Sequence, residues 1–134
     1  MAISLDQADS VIAAARKAAA ELGETVSLAV VEAGGILVAS ARMDGAPLHA
    51  NDIAKRKADV AIALGFDTVH MTTAPGGQSL FGESQRPGAH VLVPNGGGVI
   101  IRIRGTVIGA LGVSGAASSI TDHKIGAAAV AQLG

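Results

Sequence analysis

The sequence predicts an α+β sandwich, an antiparallel sheet with helices packed on both faces. Three observations carry this. Helix-start signals stand near both ends of the chain and in its middle, and Leu5, Ala8, Ile12, Ala15, Ala19 and Leu22 form an apolar stripe at helical spacing. Short apolar runs come in succession joined by tight turns, which implies antiparallel pairing. The stretch Asn95 to Ala116, NGGGVIIRIRGTVIGALGVSGA, sets glycines inside strands, as happens where a backbone packs closely against another element or a ligand.

Taken in order, Ser4-Leu5-Asp6-Gln7 reads as a capping box, and the helix it opens runs to about Leu22, where Gly23 stops it. Thr25 to Val31 and Ile36 to Ala41 are strands joined by a hairpin at Glu32-Ala33-Gly34-Gly35. Arg42-Met43-Asp44-Gly45-Ala46-Pro47 is a turn-rich connector. A second helix starts at His49 or Asn51 and reaches Leu64, with Gly65 behind it. Phe66 to Gln85 reads as an irregular loop centred on Pro75-Gly76-Gly77, and loops this long in small domains are often functional. Val91 to Val93 is a short strand. Val99–Ile103 and Thr106–Val113 form a hairpin around Arg104-Gly105. Ser119-Ile120-Thr121-Asp122 resembles a second capping box and opens a helix to Leu133. The order α-β-β-α-loop-β-β-β-α implies an antiparallel sheet covered by helices, in one domain spanning residues 1–134.

Composition narrows the function classes. Apolar residues make up 49% and charged residues 16%, a folded composition rather than a disordered one. Net charge is −1, and Phe66 and Phe81 are the only aromatic residues. Neither a basic footprint nor a base-stacking platform for nucleic acid is present. The chain has no cysteine, which excludes disulfides, thiolate nucleophiles and iron–sulfur clusters. Arg102 and Arg104 interrupt the longest apolar run, so no membrane span is expected; the start of the chain lacks a signal-peptide pattern, and a cytoplasmic protein is the default. Mean hydropathy of +0.46 points to apolar surface buried between subunits of a homo-oligomer.

Several motifs together resemble a known family. Pro75-Gly76-Gly77-Gln78-Ser79-Leu80-Phe81-Gly82, then Gly96-Gly97-Gly98, then Val107-Ile108-Gly109-Ala110-Leu111-Gly112-Val113-Ser114-Gly115, then Asp122 are similar to the GlcG/HbpS-like pattern. Arg42-Met43-Asp44-Gly45-Ala46 and Lys57-Ala58 fit it too. That family includes haem-binding proteins and the C-terminal domain of PduO-type corrinoid adenosyltransferases. The resemblance implies a profilin-like sandwich with helices on both faces of a five-stranded sheet, higher-order homo-oligomers, and haem or a related tetrapyrrole as ligand.

The candidate chemistry sits on few residues. A haem iron takes His, Met, Cys or Tyr in the usual cases, and His49, His70, Met43 and Met71 are the candidates weighed here. His49 reads equally as an exposed imidazole near a helix start. His49, His70, His90 and His123 have no short ligand spacing, so no metal site is predicted. Acid–base chemistry is possible if His49, Asp52 and Lys57 converge with Arg102 on a pocket between the second helix and the sheet. Lys57, among Ala54, Ala58 and Ala61, is either a desolvated base or a lysine that snorkels or pairs with an acid. Arg102 and Arg104 either hold a carboxylate or haem propionates, with Gly96, Gly97 and Gly98 as the mouth of the site, or form a solvated or salt-bridged row. Pro75-Gly76-Gly77 offers amides to an anion, and Ser114 reads as a close-packing residue rather than a nucleophile. Two functions follow: an oligomeric binder of haem or a related tetrapyrrole, or a cofactor-independent enzyme doing acid–base chemistry on a small organic acid or carbonyl compound.

Overall fold

Ser4 caps the first helix in both directions: its Oγ accepts from the Gln7 N–H (3.1 Å), and Gln7 Oε1 accepts from the Ser4 N–H (2.9 Å). From this start α1 runs over Leu5–Glu21. The computed structural model of the chain describes residues 2–73 and 96–133. After α1 come β1 (Ser27–Glu32), β2 (Leu37–Arg42), α2 (Ala50–Leu64), a 3₁₀ helix (Thr68–Thr73), β3 (Gly98–Ile103), β4 (Thr106–Ser114) and α3 (Ser119–Leu133).

The strands form one antiparallel sheet in the order β2-β1-β4-β3. The sheet has four strands among the described residues, against the five expected; Val91 to Val93, the missing strand, lies outside them, as do His90 and Pro75-Gly76-Gly77. The β3–β4 hairpin turns at Arg104 (φ 52°) and Gly105 (φ 79°). Two consecutive positive φ values match the right-handed twist of the flanking strands, which is why a two-residue connection closes there.

Alternation splits the core between the two faces of the sheet. Leu28, Val30, Ile101, Leu111 and Val113 pack on one side with α1 and α3, through Val11, Ala15, Ile125 and Ala129. Val31, Ile100 and Ala110 pack on the other with Ala58 and Ala61 of α2. The predicted α1 stripe is buried at Ala8, Ile12, Ala15 and Ala19 and joined by Val11, while its two ends, Leu5 and Leu22, are exposed. The expected irregular segment after Gly65 begins with the 3₁₀ helix, which buries Thr68 and Met71.

The glycines set the height of α2. Gly98 and Gly112 are cross-strand partners directly beneath it. A Cβ on Gly112 would run into the Ala54 carbonyl oxygen, and one on Gly98 into the Lys57 carbonyl oxygen. The helix therefore lies backbone against backbone on the sheet, closer than side chains allow. Gly112→Ala should lower stability by at least the upper end of the roughly 1–3 kcal/mol that overpacking a core costs. Urea denaturation at unchanged slope reads this directly, and an unchanged midpoint would refute the close contact.

Candidate functional site

Lys57 is the most constrained ionisable residue in the fold. It sits on the sheet side of α2 and is 3% exposed. Its Nζ donates to the Val113 carbonyl (3.0 Å) and to Asp122 Oδ2 (3.0 Å). Asp122 belongs to α3, on the opposite face of the sheet, so the lysine side chain passes between the start of β3 and the end of β4. Gly97 makes that passage: a Cβ there would lie 2.9 Å from both Lys57 Cδ and Nζ, and the residue's φ of 128° is one that side chains rarely adopt.

The expected capping box at Ser119 does not form. The Ser118 hydroxyl accepts from the Thr121 N–H (3.1 Å), one residue earlier, and Asp122 turns inward. Its Oδ1 accepts from the Ala116 N–H (3.0 Å) while Oδ2 holds Lys57. Of the two readings of Lys57, the structure gives the lysine paired with an acid.

Gly97 and Gly98 pack against Lys57 and Gly96 against α3, and among the described residues the three glycines do not open a ligand mouth. A Cβ at Gly96 would meet the Ser119 carbonyl, Val69 and His123; at Gly97, Val113 and Lys57; at Gly98, Lys57 and Thr68. These glycines absorb close packing from both helices. His123 Nδ1 is buried there without a hydrogen-bond partner among the described residues.

The other expected residues lie elsewhere. His49 occupies the N-cap position of α2 in an αR conformation with no side-chain cap, and both it and Asp52 are exposed. Asp52 and Lys57 stand roughly 140° apart around the helix. The expected convergence of His49, Asp52 and Lys57 therefore does not occur. Arg102 is at the other end of α2, where its Nη2 reaches the Gly65 carbonyl at 3.5 Å. The length of α2, about 22 Å, separates it from His49. Arg104 sits in the hairpin turn, exposed and roughly 23 Å along the strand from Gly97. The arginines and the triple glycine thus do not line one cradle. His70 is exposed beside Phe66, with ring centroids 6.4 Å apart, whereas Met71 is buried.

Asp52 instead lines an open groove of about 390 Å³ between α2 and β2, with Ala29, Leu37, Ser40, Arg42, Asn51 and Lys55 among its other walls. Arg42 folds back so that Nε (3.1 Å) and Nη2 (2.6 Å) donate to the Ala46 carbonyl, and Lys55 pairs with Asp59 at 2.6 Å. The sequence predicts a pocket between the second helix and the sheet, but of the residues expected there only Asp52 lines this groove. Its other visible signal is the small-residue floor Ala29 and Ser40, which looks like any alternating strand.

A family model described as haem degrading protein HbpS-like matches residues 3–131. Corrinoid adenosyltransferase PduO of Citrobacter freundii is 33% identical over 117 residues, 86% of this chain. The matched region is 34% of PduO, so the chain spans about a third of that relative's length. Among solved structures, the chain is similar to Klebsiella pneumoniae protein ORFY, with a TM-score of 0.85 and 33% identity over 98% of this chain and 90% of that one. It is also similar to PduOC in its complex with haem, with a TM-score of 0.81 and 31% identity over 98% and 94% of the two chains. No described helix is long and apolar enough to cross a membrane.

Removing one partner of a buried ion pair leaves the other charge unpaired, which costs roughly 3–5 kcal/mol. Lys57→Met should show a loss of that size in chemical denaturation. The double variant Lys57→Met/Asp122→Asn keeps the acceptor for Ala116 and should recover more than half of it. A loss below about 1 kcal/mol in the single variant is the outcome that rejects the pair as a structural pin.

Proposed function

Given that the chain belongs to the haem degrading protein HbpS-like family, we propose that it binds haem or a related tetrapyrrole at the N-terminal end of α2, with His49 as the axial donor. The observation that carries this is the exposed His49 imidazole, uncommitted to capping and two residues before Asn51, which lines the α2–β2 groove. Of the other axial candidates, His70 is exposed too but follows the opposite end of α2, away from the groove, and the methionines are less available. Met71 is buried, and Met43 packs on the core with its Sδ accepting from the Val26 N–H at 3.5 Å. When bound, haem supplies an iron that takes a neutral imidazole as ligand.

The residues around His49 fit such a group. Leu48, 91% exposed, and Leu37 offer apolar contact, and Arg42 on the groove wall, bonded to a carbonyl and not to an acid, carries the positive charge that suits a propionate. The complex of PduOC with haem supports the ligand class. The reading keeps the expectation of a cytoplasmic homo-oligomer, for which the exposed Leu48 and Ile36 are the supporting surface. The acid–base alternative draws no support from the geometry, because Lys57 faces Asp122 rather than Asp52 and His49.

Titrating haem into the purified protein should produce a Soret band that saturates at a fixed stoichiometry. His49→Ala should weaken binding at least about tenfold, or 1.4 kcal/mol. Arg102→Ala, at the far end of α2, should leave it unchanged. No spectral change at stoichiometric haem overturns the proposal, and equal affinity in His49→Ala overturns the assignment of the ligand.

A further inference from the structure

The two outer edges of the sheet are treated differently. On β3, the outward N–H groups of Gly98 and Ile100 donate to Thr68 Oγ1 and Asp67 Oδ1, each at 2.9 Å. Those side chains close that part of the edge. On β2, no described residue does the same. The Met43 N–H donates to the Val26 carbonyl (2.9 Å), and alternation along the ladder then turns Ala41 and Ala39 toward β1 and leaves Ser40 and Arg42 facing outward. Natural edges are commonly guarded by lysine, proline, an inward charge or a bulge; Leu37 to Ala41 carries no charge or proline, and its single bulge, at Val38, leaves Ala39 to Ala41 regular. At the start of this edge, Ile36 and Leu37 are 66% and 46% exposed.

We propose that β2 pairs antiparallel with β2 of a second copy of this chain, about a two-fold axis at Ser40, joining two sheets into one. The strand is complementary to itself in that register. Ser40 meets the same residue of the second copy, and Ala39 meets Ala41, so the centre holds only small side chains. The bulge at Val38 turns Leu37 onto the α2 face, so the self-paired segment is Ala39 to Ala41. The two Arg42 residues fall at opposite ends, whereas a parallel arrangement would set them side by side. An axis normal to the sheet keeps both α2 helices on one face, and the two α2–β2 grooves become one trough walled by both copies. This deepens the homo-oligomer reading above and rests on it, but not on the ligand.

The test uses haem-free protein, so its failure leaves the ligand proposal standing. The chain has no cysteine, which makes a single introduced thiol unambiguous. Hydrogen-bonded antiparallel partners stand about 5.5 Å apart at Cα, within disulfide reach. Ser40→Cys should convert to a covalent dimer under mild oxidation, while Ser10→Cys, exposed on α1, should not. Ser40→Pro removes an outward N–H that the fold does not use, so it should halve the mass measured by light scattering with an unchanged circular dichroism spectrum. A monomeric wild-type chain, or Ser40→Cys that cross-links no faster than Ser10→Cys, overturns the proposal. If Ser40→Pro fails to fold, the cysteine pair decides alone.

Discussion

A single ammonium group carried through the sheet ties the two sides of this molecule together. Charge inside a protein is tolerated only when it is paired and hydrogen-bonded. Lys57 meets that condition with one carboxylate from the far helix and one carbonyl from β4. Asp122 is satisfied in turn by the Ala116 N–H, which anchors the loop entering α3. The interaction fixes where α2 lies relative to α3, although the two helices pack on different cores. Dispersion and hydrophobic burial hold each helix to its own face but do not set the alignment across the sheet, since apolar contacts are non-directional. The ion pair does.

The passage depends on absent side chains. Gly97 leaves the gap, and Gly98 and Gly112 let the α2 backbone drop onto β3 and β4. A helix seated that low over β3, β4 and β1 cannot also cover β2. The groove and the uncovered strand thus follow from the same geometry that buries Lys57. Stability is concentrated toward the middle of α2, while the exposed chemistry lies at its start, in His49 and Asp52.

What was legible in the sequence was local. The Ser4–Gln7 box and the Arg104-Gly105 turn each involve residues within three positions of one another, so spacing alone specifies them. Lys57 and Asp122 are 65 residues apart, and no periodicity connects them. Each was seen separately: Lys57 as a lysine on an apolar face, Asp122 as a capping acid. The capping reading failed because a buried cation across the sheet competes for that carboxylate more strongly than an exposed backbone N–H does. The convergence of His49, Asp52 and Lys57 failed for a related reason. Proximity in sequence on a helix says little until the buried face is known, and Lys57 was itself on that face.

The glycines bear directly on where a ligand can bind. Glycines in strands signal a close approach, but the signal does not say what approaches. Here it is the protein's own α2 backbone, the α3 entry and the Lys57 side chain. A bound group at Gly96 to Gly98 would have to displace a buried, paired charge, a far greater demand than desolvating an exposed imidazole. That demand supports the proposed ligand site at the other end of α2. There, among the described residues, nothing covers that face of the sheet or pairs with the outer edge of β2, and a histidine stands at a helix start without a cap to make.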